Sequence, residues 1–303
     1  MSAPQVIGVD LGGTKILAGS IDREGRVHER REAPTPTGSQ AELLEGIAAA
    51  IEPLAGAGMA ALGFGIPSVI DRGTGRALGS NNIPLEDVAL GQVMSERFGV
   101  PAAIENDANA AALAEWQLGA GRGAENLIML TLGTGVGGGL VVDGALFRGW
   151  AELGHLVVLA DGPPCQGNCT GRGHLEAVAS GNAGDRAAER LWGEGATAEL
   201  LVGRAAEGDE GALEALSGIG HLLGAGIGSL VNIFGAGLVI VGGGFGNAAA
   251  EFLFPEALDV ARREVQLEPF RATLRILKAE LGSDAGVIGA GLVAFAALGA
   301  EAS

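Results

Sequence analysis

The amino-acid sequence predicts an α/β fold built as two domains with a cleft between them. Short apolar strands alternate with helical segments along the chain, which is typical of α/β folds. Hydrophobic residues make up 48% of the 303 residues and charged residues 18%, the composition of a globular and not a disordered chain. Residues 6–25 also align without gaps on residues 127–146, and such a repeat suggests a duplicated unit. Two unrelated glycine hairpins could give the same short match, so that alternative stays open.

The first part of the chain carries clear strand, turn and helix signals. The turn DLGGTK at 10–15 follows an apolar strand, and Asp22 and Gly25 close a second turn. Ser39 is placed as a helix N-cap, with Glu42 at the capping-box position three residues later. Strands are predicted at 6–9, at 16–21, up to 33, within 61–71 and at 102–105, and helices at 39–54, at 90–98 and up to about 118.

Two uncharged stretches in the second half raise the question of a membrane span. Residues 220–244 contain many glycines and one histidine, and they fit a buried helix, a turn and a short strand at 238–241 better. Residues 285–300 are too few to cross a bilayer comfortably. The N-terminus has neither a basic segment nor an apolar one of the kind found in secretory signals. We therefore expect both stretches to be core segments, no membrane partner, and a cytoplasmic protein.

The net charge of −17 limits the classes of partner. A surface that follows the phosphates of a nucleic acid needs clustered lysine and arginine, so nucleic acid is not an expected partner. The acidity serves solubility. Any phosphate site in this chain must depend on backbone N–H groups and metal ions instead of a basic patch.

A glycine-rich loop, TLGTGVGGG at 131–139, is suited to phosphate. Glycines such as Gly133 and Gly135 let successive N–H groups turn towards an anion, and the hydroxyls of Thr131 and Thr134 add donors. A dinucleotide fingerprint would have to open a helix, whereas a strand follows here. The pattern therefore predicts a phosphate-binding β-hairpin, with a plain tight turn as the alternative.

The two cysteines of the chain lie in a spaced cluster with two histidines. His155, Cys165, Cys169 and His174 offer four ligands of the kind that form a closed tetrahedral zinc site. The alternatives are a Cys165–Cys169 disulfide, or idle thiols beside solvated histidines. Without signs of export, zinc is the prediction.

These motifs in this order resemble the ROK family of sugar kinases (repressor, open reading frame, kinase), within the actin and hexokinase superfamily. The resemblance covers nearly the whole chain. It departs from the family at two points: His174 stands where the commonest zinc motif has a third cysteine, and Ser68 stands where a glycine is common. The motifs that carry the resemblance are DLGGTK at 10–15, ENDAN at 105–109, TLGTGVGGG at 131–139, AELGH at 151–155, the cluster ending in HLE at 174–176, and VIVGGGFG at 239–246.

The resemblance implies a two-domain actin-like (ribonuclease H-like) ATPase fold with an interdomain cleft. A small α/β domain at 1–112 is expected to be rejoined by the C-terminal helix at 287–303. A large α/β domain at 113–286 carries the zinc-binding loop. Repressors of the family have a DNA-binding helical domain ahead of the first phosphate strand, and this chain starts at that strand, which implies the kinase branch. A homodimer is also implied.

The ENDAN segment supplies the expected catalytic base, Asp107, which would accept the proton of the sugar hydroxyl. A lone aspartate before a helix is more often an N-cap, and that is its alternative role. One ring nitrogen of His155 could ligate zinc while the other faces the sugar, which would couple the metal to substrate placement. The residues expected to hold the sugar are Asn82, Asn106, Asp107, Glu152, His155 and Glu176.

The nucleotide is expected to lie on the glycine loops. Asp10 would orient Mg²⁺ through water, with a turn-forming aspartate as the alternative. Gly243 and Gly244 leave no side chain above a flat ring, which suits adenine, although a strand-to-helix turn would give the same sequence. Lys15 receives no phosphate role. The residues expected at the phosphates are Gly12, Gly13, Thr14, Thr131, Gly133, Thr134 and Gly135.

Three functions compete at this point. The first is an ATP-dependent hexose kinase, with glucose converted to glucose 6-phosphate, using ATP, Mg²⁺ and a structural Zn²⁺. The second is a kinase for N-acetylglucosamine, N-acetylmannosamine or fructose, or a glucokinase that uses polyphosphate. The third is a non-catalytic sugar sensor. Intact Asp10 and Asp107 and both glycine loops argue against the third.

Overall fold

The structure is a computed structural model that describes residues 5–56, 58–80 and 82–300. By internal contacts the chain forms two units. The first runs to Leu118 and resumes at Asp284, and the second spans Gly119–Ser283. These limits fall at the ends of helices, because a helix packs as one body. The boundaries expected from the sequence, after residues 112 and 286, lie inside helices.

The first unit is built on a five-stranded sheet in the order β3-β2-β1-β4-β8. β1, β2 and β3 form an antiparallel meander, and β4 and β8 continue from β1 in parallel. A small sheet, β5-β6-β7, is added to it. The elements are β1 Gln5–Leu11, β2 Lys15–Ile21, β3 Val27–Pro34, α1 Gln40–Ile51, β4 Met59–Ile66, β5 Val69–Asp71, β6 Arg76–Gly79, β7 Glu86–Val88, α2 Leu90–Phe98, β8 Ala102–Asn106 and α3 Asp107–Leu118.

The core of this unit follows from the apolar runs of the sequence. β1, β2 and β4 are buried over most of their length, whereas β3, rich in charge, is mostly exposed at the sheet edge. α1 begins after Ser39, whose hydroxyl accepts the N–H of Glu42 at 3.2 Å, which confirms the predicted N-cap. The small sheet of short strands was not expected, because its strands are too short to show an alternating pattern.

The second unit repeats the same sheet plan in the order β11-β10-β9-β12-β13. Again three antiparallel strands are followed by two parallel ones. The elements are β9 Leu127–Leu132, β10 Val136–Val142, β11 Ala145–Leu146, α4 Leu175–Ala179, α5 Gly181–Trp192, α6 Ala198–Ala206, α7 Glu210–Phe234, β12 Leu238–Gly242, α8 Gly244–Ala248, α9 Ala250–Glu264, α10 Glu268–Thr273 and β13 Arg275–Lys278; the last helix, α11 Ala285–Ala300, returns to the first unit.

The internal repeat corresponds to the two glycine hairpins, β1–β2 and β9–β10. Each occupies the same place in its sheet, which supports duplication over chance similarity. The register differs by one residue, however. Leu11 pairs with Ile16, whereas Leu132 pairs with Val136. The gapless alignment therefore holds for the first strand of each hairpin, and the second hairpin has the tighter loop.

Helices α7 and α11 are long and apolar enough to cross a membrane by length and composition alone. About half of each apolar stretch is buried within the protein. Three glycines of α7, at positions 220, 224 and 228, let it lie against the backbone of α9. α11 lies as closely on the first sheet, where a Cβ atom at Gly63 would lie 1.9 Å from the carbonyl oxygen of Ala290. Both helices are thus core helices of their units, as the sequence predicted.

Candidate active site

Two carboxylates of the first unit, Asp10 and Asp107, lie near each other at the ends of strands β1 and β8. Asp10 is next to last in β1 and Asp107 begins α3 directly after β8. Burial and the charge of Asp107 together raise the pKa of Asp10 to about 7, against an opposing effect of Lys15. A pair of half-buried carboxylates at the end of a sheet is a place where a hard cation gains most, because it neutralises both charges.

The hydrogen bonds at the start of α3 distinguish the two roles considered for Asp107, catalytic base and helix N-cap. Asn106 Oδ1 accepts the N–H of Asn109 at 3.1 Å, which is the capping contact. Asp107 Oδ1 accepts the N–H of the next residue, Ala108, at 2.8 Å. The helix cap is therefore Asn106, and the predicted alternative role of Asp107 as the N-cap is taken by its neighbour.

The carboxylate of Glu105 forms hydrogen bonds with this segment, and the sequence gave no signal of these contacts. Its side chain is 1% exposed and forms an ion pair with Arg72, which follows β5. Glu105 Oε1 also accepts Asn109 Nδ2 at 3.1 Å and the N–H of Asn106 at 2.9 Å. A buried carboxylate needs such partners. The network fixes the β8–α3 junction to the small sheet.

The first glycine loop, between β1 and β2, is closed by backbone bonds. Gly12 N–H donates to Lys15 O at 2.9 Å, and the Thr35 hydroxyl donates to Gly12 O at 2.7 Å. Gly13 lies against Asn82, since a Cβ atom there would be 3.4 Å from Asn82 Cβ. Lys15 Nζ is paired with Glu32 at 3.1 Å, and both side chains are about half exposed.

The second glycine loop, between β9 and β10, has some of its donors already in use. Gly133 N–H donates to Gly135 O at 3.0 Å, and Val136 N–H donates to Glu176 Oε2 at 3.0 Å. Within the described part of the chain, the N–H groups of Thr134 and Gly135 have no partner. Those two, together with the threonine hydroxyls, are the donors that the loop can offer to an anion.

Glu176 joins the glycine loop to the cysteine and histidine cluster. While Oε2 accepts from Val136, Oε1 lies 3.7 Å from Cys165 Sγ. The loop must pass very close, because a Cβ atom at Gly135 would lie 2.1 Å from Glu176 Oε2. This residue was expected to contact a sugar; in the structure its carboxylate contacts the second glycine loop, and the sequence gave no signal of that contact.

His155, Cys165, Cys169 and His174 come together with their ligand atoms within 4.8 Å of one another. His155 Nδ1 is 3.1 Å from His174 Nδ1, and the cysteine sulfurs lie 3.7 and 3.6 Å from those two nitrogens. Tetrahedral zinc, with Zn–N near 2.05 Å and Zn–S near 2.3 Å, sets nitrogens about 3.3 Å apart and nitrogen and sulfur about 3.6 Å apart. The donor set and its spacing therefore fit a zinc ion. No disulfide is formed.

The surroundings of Cys165 disfavour the thiolate form of its side chain. Burial and the nearby Cys169 and Glu176 raise the pKa of the Cys165 thiol to about 11. Both histidines direct Nδ1 into the cluster, so the Nε2 atom of His155 points away from it. Glu152 is exposed on the turn that carries His155. The cluster, Glu152 and Glu176 thus share one surface region of the second unit.

The turn after β12 brings Gly243 and Gly244 to the start of α8. Gly243 has φ of 84° and lies against the Leu132 carbonyl, where a Cβ atom would be 2.4 Å from the oxygen. Gly244 has open space around it, with no atom within 4 Å of an added Cβ. Nearby, Asn247 Oδ1 is buried without a hydrogen-bond partner in the described chain. The two glycines therefore differ: one is required by the backbone and the other leaves a flat, open surface.

Comparison with known proteins gives one family. The model of the ROK family matches residues 6–296. A glucokinase of Streptomyces coelicolor is 34% identical over 306 residues, covering 94% of this chain and 95% of the relative. A ROK family glucokinase from Streptomyces griseus, solved with glucose and AMPPNP, has a TM-score of 0.84 and 32% identity, covering 96% of this chain and 99% of that one.

Other relatives differ in what they act on. An N-acetylmannosamine kinase of Shigella boydii is 32% identical over 296 residues, covering 95% of this chain and 97% of the relative. A ROK family transcriptional regulator has a TM-score of 0.86 at 26% identity, covering 96% of this chain but 78% of its own. The likeness thus spans kinases of more than one sugar, and the regulator has additional chain that this one does not match.

Proposed function

Because this chain belongs to the ROK family and is a sugar kinase, we propose that it transfers the γ-phosphoryl group of ATP to glucose, giving glucose 6-phosphate. The α/β, actin-like fold implied by the motifs is confirmed by the family match and the glucokinase likeness. The observation that carries the proposal is the pair Asp10 and Asp107 at the strand ends, beside a closed glycine loop. Phosphoryl transfer needs a base, a cation and backbone donors, and this chain supplies the groups for all three.

In this mechanism Asp107 accepts the proton of the attacking hydroxyl. Its carboxylate stands at the first turn of α3, held there by the Asn106 cap and the Glu105 network. Asn106 and Asn82 orient the sugar hydroxyls by hydrogen bonds. On the second unit, Glu152, His155 and Glu176 complete the set of sugar contacts that we propose.

Asp10 would hold Mg²⁺ through a water molecule. The bound ion would neutralise charge on the phosphates of ATP. The half-buried carboxylate pair fits a cation, because a cation relieves the repulsion between the two charges. The N–H groups of Thr134 and Gly135, together with those of the first loop at Gly13 and Thr14, donate to the phosphate oxygens. Adenine packs over Gly244.

We propose that zinc is bound by His155, Cys165, Cys169 and His174 and has a structural role. Four protein ligands close the coordination sphere, as in structural zinc sites. When bound, zinc holds the loop from 155 to 176 in place, and with it Glu176 and the second glycine loop. Elemental analysis of purified protein, with about one zinc per chain expected, tests this role.

A panel of sugars, with ADP release as the readout, tests the proposed substrate. Glucose should give the highest kcat/KM, with ATP preferred over polyphosphate as the donor. The second candidate is N-acetylmannosamine, favoured by the 32% identity to a kinase of that name. A higher kcat/KM for N-acetylmannosamine or for another sugar would replace glucose. No turnover with any sugar would favour a sugar sensor.

We propose a homodimer, which several exposed apolar side chains support. Trp150 is 76% exposed and Val157 58% exposed, close in sequence to the metal cluster. Exposed apolar side chains that form a contiguous patch are often buried at interfaces. Light scattering at micromolar concentration should give twice the chain mass; a monomer would refute the proposal.

A further inference from the structure

The second unit contains a cavity of about 730 Å³ that none of the proposed ATP, sugar or metal contacts use. It lies at the beginning of β12 and β13, whereas Gly243 and Gly244 follow the other end of β12. At about 3.3 Å per residue, the length of β12 separates the two places by roughly 15–20 Å. The cavity is formed by the loop 120–126, the start of β12, the end of α10 and one side chain of α9.

The charge of the cavity is opposite to that of the molecule. The chain carries a net charge of −17 and only 19 lysines and arginines. Three arginines nevertheless line this cavity, Arg122, Arg262 and Arg275, and none of the described lining residues is acidic. Such a cluster of like charges is unfavourable by itself and indicates an anionic ligand.

Two of these arginines are not neutralised by the protein. In the part of the chain that the structure describes, neither Arg262 nor Arg275 has a carboxylate within ion-pair distance. Arg262 Nη2 donates to the Leu274 carbonyl at 3.2 Å, which holds the guanidinium in the wall, while its Nε is buried without a partner. Their positive charge is therefore available to a ligand.

The third arginine, Arg122, forms an exposed ion pair that can be broken at a small cost in free energy. Arg122 pairs with Glu280 at 3.6 Å, and the two side chains are 63% and 54% exposed. Surface pairs of that kind contribute at most about 1 kcal/mol. Asn126 adds a polar side chain to the lining, with its Oδ1 bonded to the N–H of Asp143 at 2.8 Å.

We propose that this cavity is a second anion site, which binds a small phosphate ester carrying two or more negative charges. Guanidinium groups bind phosphate through paired N–H donors, and three of them match a multiply charged group better than a single carboxylate. The volume is that of a small-molecule site. The source of the phosphate is either a sugar phosphate or a diphosphate, which share this chemistry.

Isothermal titration calorimetry on the full chain tests the site, with inorganic pyrophosphate and fructose 1,6-bisphosphate as probes. AMPPNP, Mg²⁺ and glucose are present in excess, so that the proposed active site is filled. The variants are Arg275→Gln, the Arg262→Gln/Arg275→Gln pair, and Arg263→Gln as a control that removes the same charge from an exposed neighbour on α9. Arg262 also holds a carbonyl, so the single Arg275 variant keeps the test valid if the pair fails to fold.

We expect saturable binding of at least one probe, weakened at least about 10-fold by Arg275→Gln, lost in the double variant and unchanged in Arg263→Gln. The tighter-binding probe identifies the source. Absence of saturable binding at millimolar concentrations, or an equal loss in Arg263→Gln, would overturn the proposal. Because heat is measured and not turnover, a failure of the proposed kinase activity leaves this result interpretable.

Discussion

At the scale of single residues, the ionised carboxylate of Asp10 lowers the stability of the folded protein at high pH. Its folded pKa of about 7 lies above the ordinary value of 3.8 for an aspartate, so the folded protein holds the proton more tightly between those values. The contribution is favourable below about pH 4 and is lost as pH rises through 7. Asp10→Asn should therefore raise the Tm at pH 8 in the absence of divalent ions, with an upper bound on the order of 4 kcal/mol.

Thermal unfolding of both proteins at pH 5 and pH 8 checks this sign. The Tm advantage of the Asp10→Asn variant should be large at pH 8 and small at pH 5, and its kinase activity should be lost. A variant that is less stable than wild type at pH 8 would show that Asp10 is a structural turn residue, as its alternative role states.

A substitution at Gly244 can distinguish an effect on nucleotide binding from an effect on folding. No atom lies within 4 Å of an added Cβ, so Gly244→Ala should leave the Tm unchanged or raise it slightly. If adenine packs over this position, the methyl group should raise the KM for ATP at least about 10-fold, roughly 1.4 kcal/mol, and leave the sugar KM unchanged. Gly203→Ala on α6, where an added Cβ also meets nothing, is the control. An unchanged KM for ATP would show that Gly243 and Gly244 form a strand-to-helix turn without a role in adenine binding.

The residues that the sequence predicted are those that belong to local motifs. Asp107 and the four members of the cysteine and histidine cluster are visible because their neighbours in the chain are also their neighbours in space. The contact of Arg72 with Glu105 joins residues 33 positions apart, and the contact of Glu176 with Val136 joins residues 40 apart. No local sequence pattern predicts such contacts, so both were found only in the structure.

At the scale of elements, the first turn of α11 lies directly on the carboxylate of Asp10. A Cβ atom at Gly286 would be 2.4 Å from Asp10 Oδ2, closer than real contacts allow. Gly286→Ala should displace the carboxylate, lower kcat at least about 10-fold through misplacement of charge, and raise the Mg²⁺ concentration needed for half-maximal rate.

Steady-state rates over a range of Mg²⁺ concentrations measure this effect. Gly299→Ala, at the other end of the same helix, is the control, since nothing lies within 4 Å of an added Cβ there. If Gly286→Ala and Gly299→Ala behave alike, the helix does not position Asp10.

Elements were predictable where they are long or carry caps. The Ser39 cap, the buried strand 238–241 and both glycine hairpins follow from the sequence. The one-residue difference in register between the hairpins does not, because both loops satisfy the same Gly/Thr pattern. The sheet β5-β6-β7 has strands of three or four residues, and such strands depend on their partners more than on their own sequence.

At the scale of the whole molecule, the metal cluster should influence substrate binding as well as stability. Cys169→Ser, or removal of zinc by a chelator, should raise the KM for the sugar more than that for ATP, because His155 and Glu152 share the loop that the metal holds. A purely structural metal would lower the Tm and leave both constants unchanged. Both KM values, measured on folded, zinc-depleted protein, decide between the two; equal shifts would end the coupling hypothesis.

The most direct test of the account is the rate of glucose 6-phosphate formation from ATP and glucose, measured for wild type, Asp107→Asn and Asp259→Asn. Asp259 is an exposed aspartate on α9 and serves as the charge-matched control. Wild type and the control should both form product, and kcat should be at least about 100-fold lower for Asp107→Asn, with glucose affinity little changed. No product from wild type, or an Asp107→Asn variant that keeps most of its turnover, would contradict it.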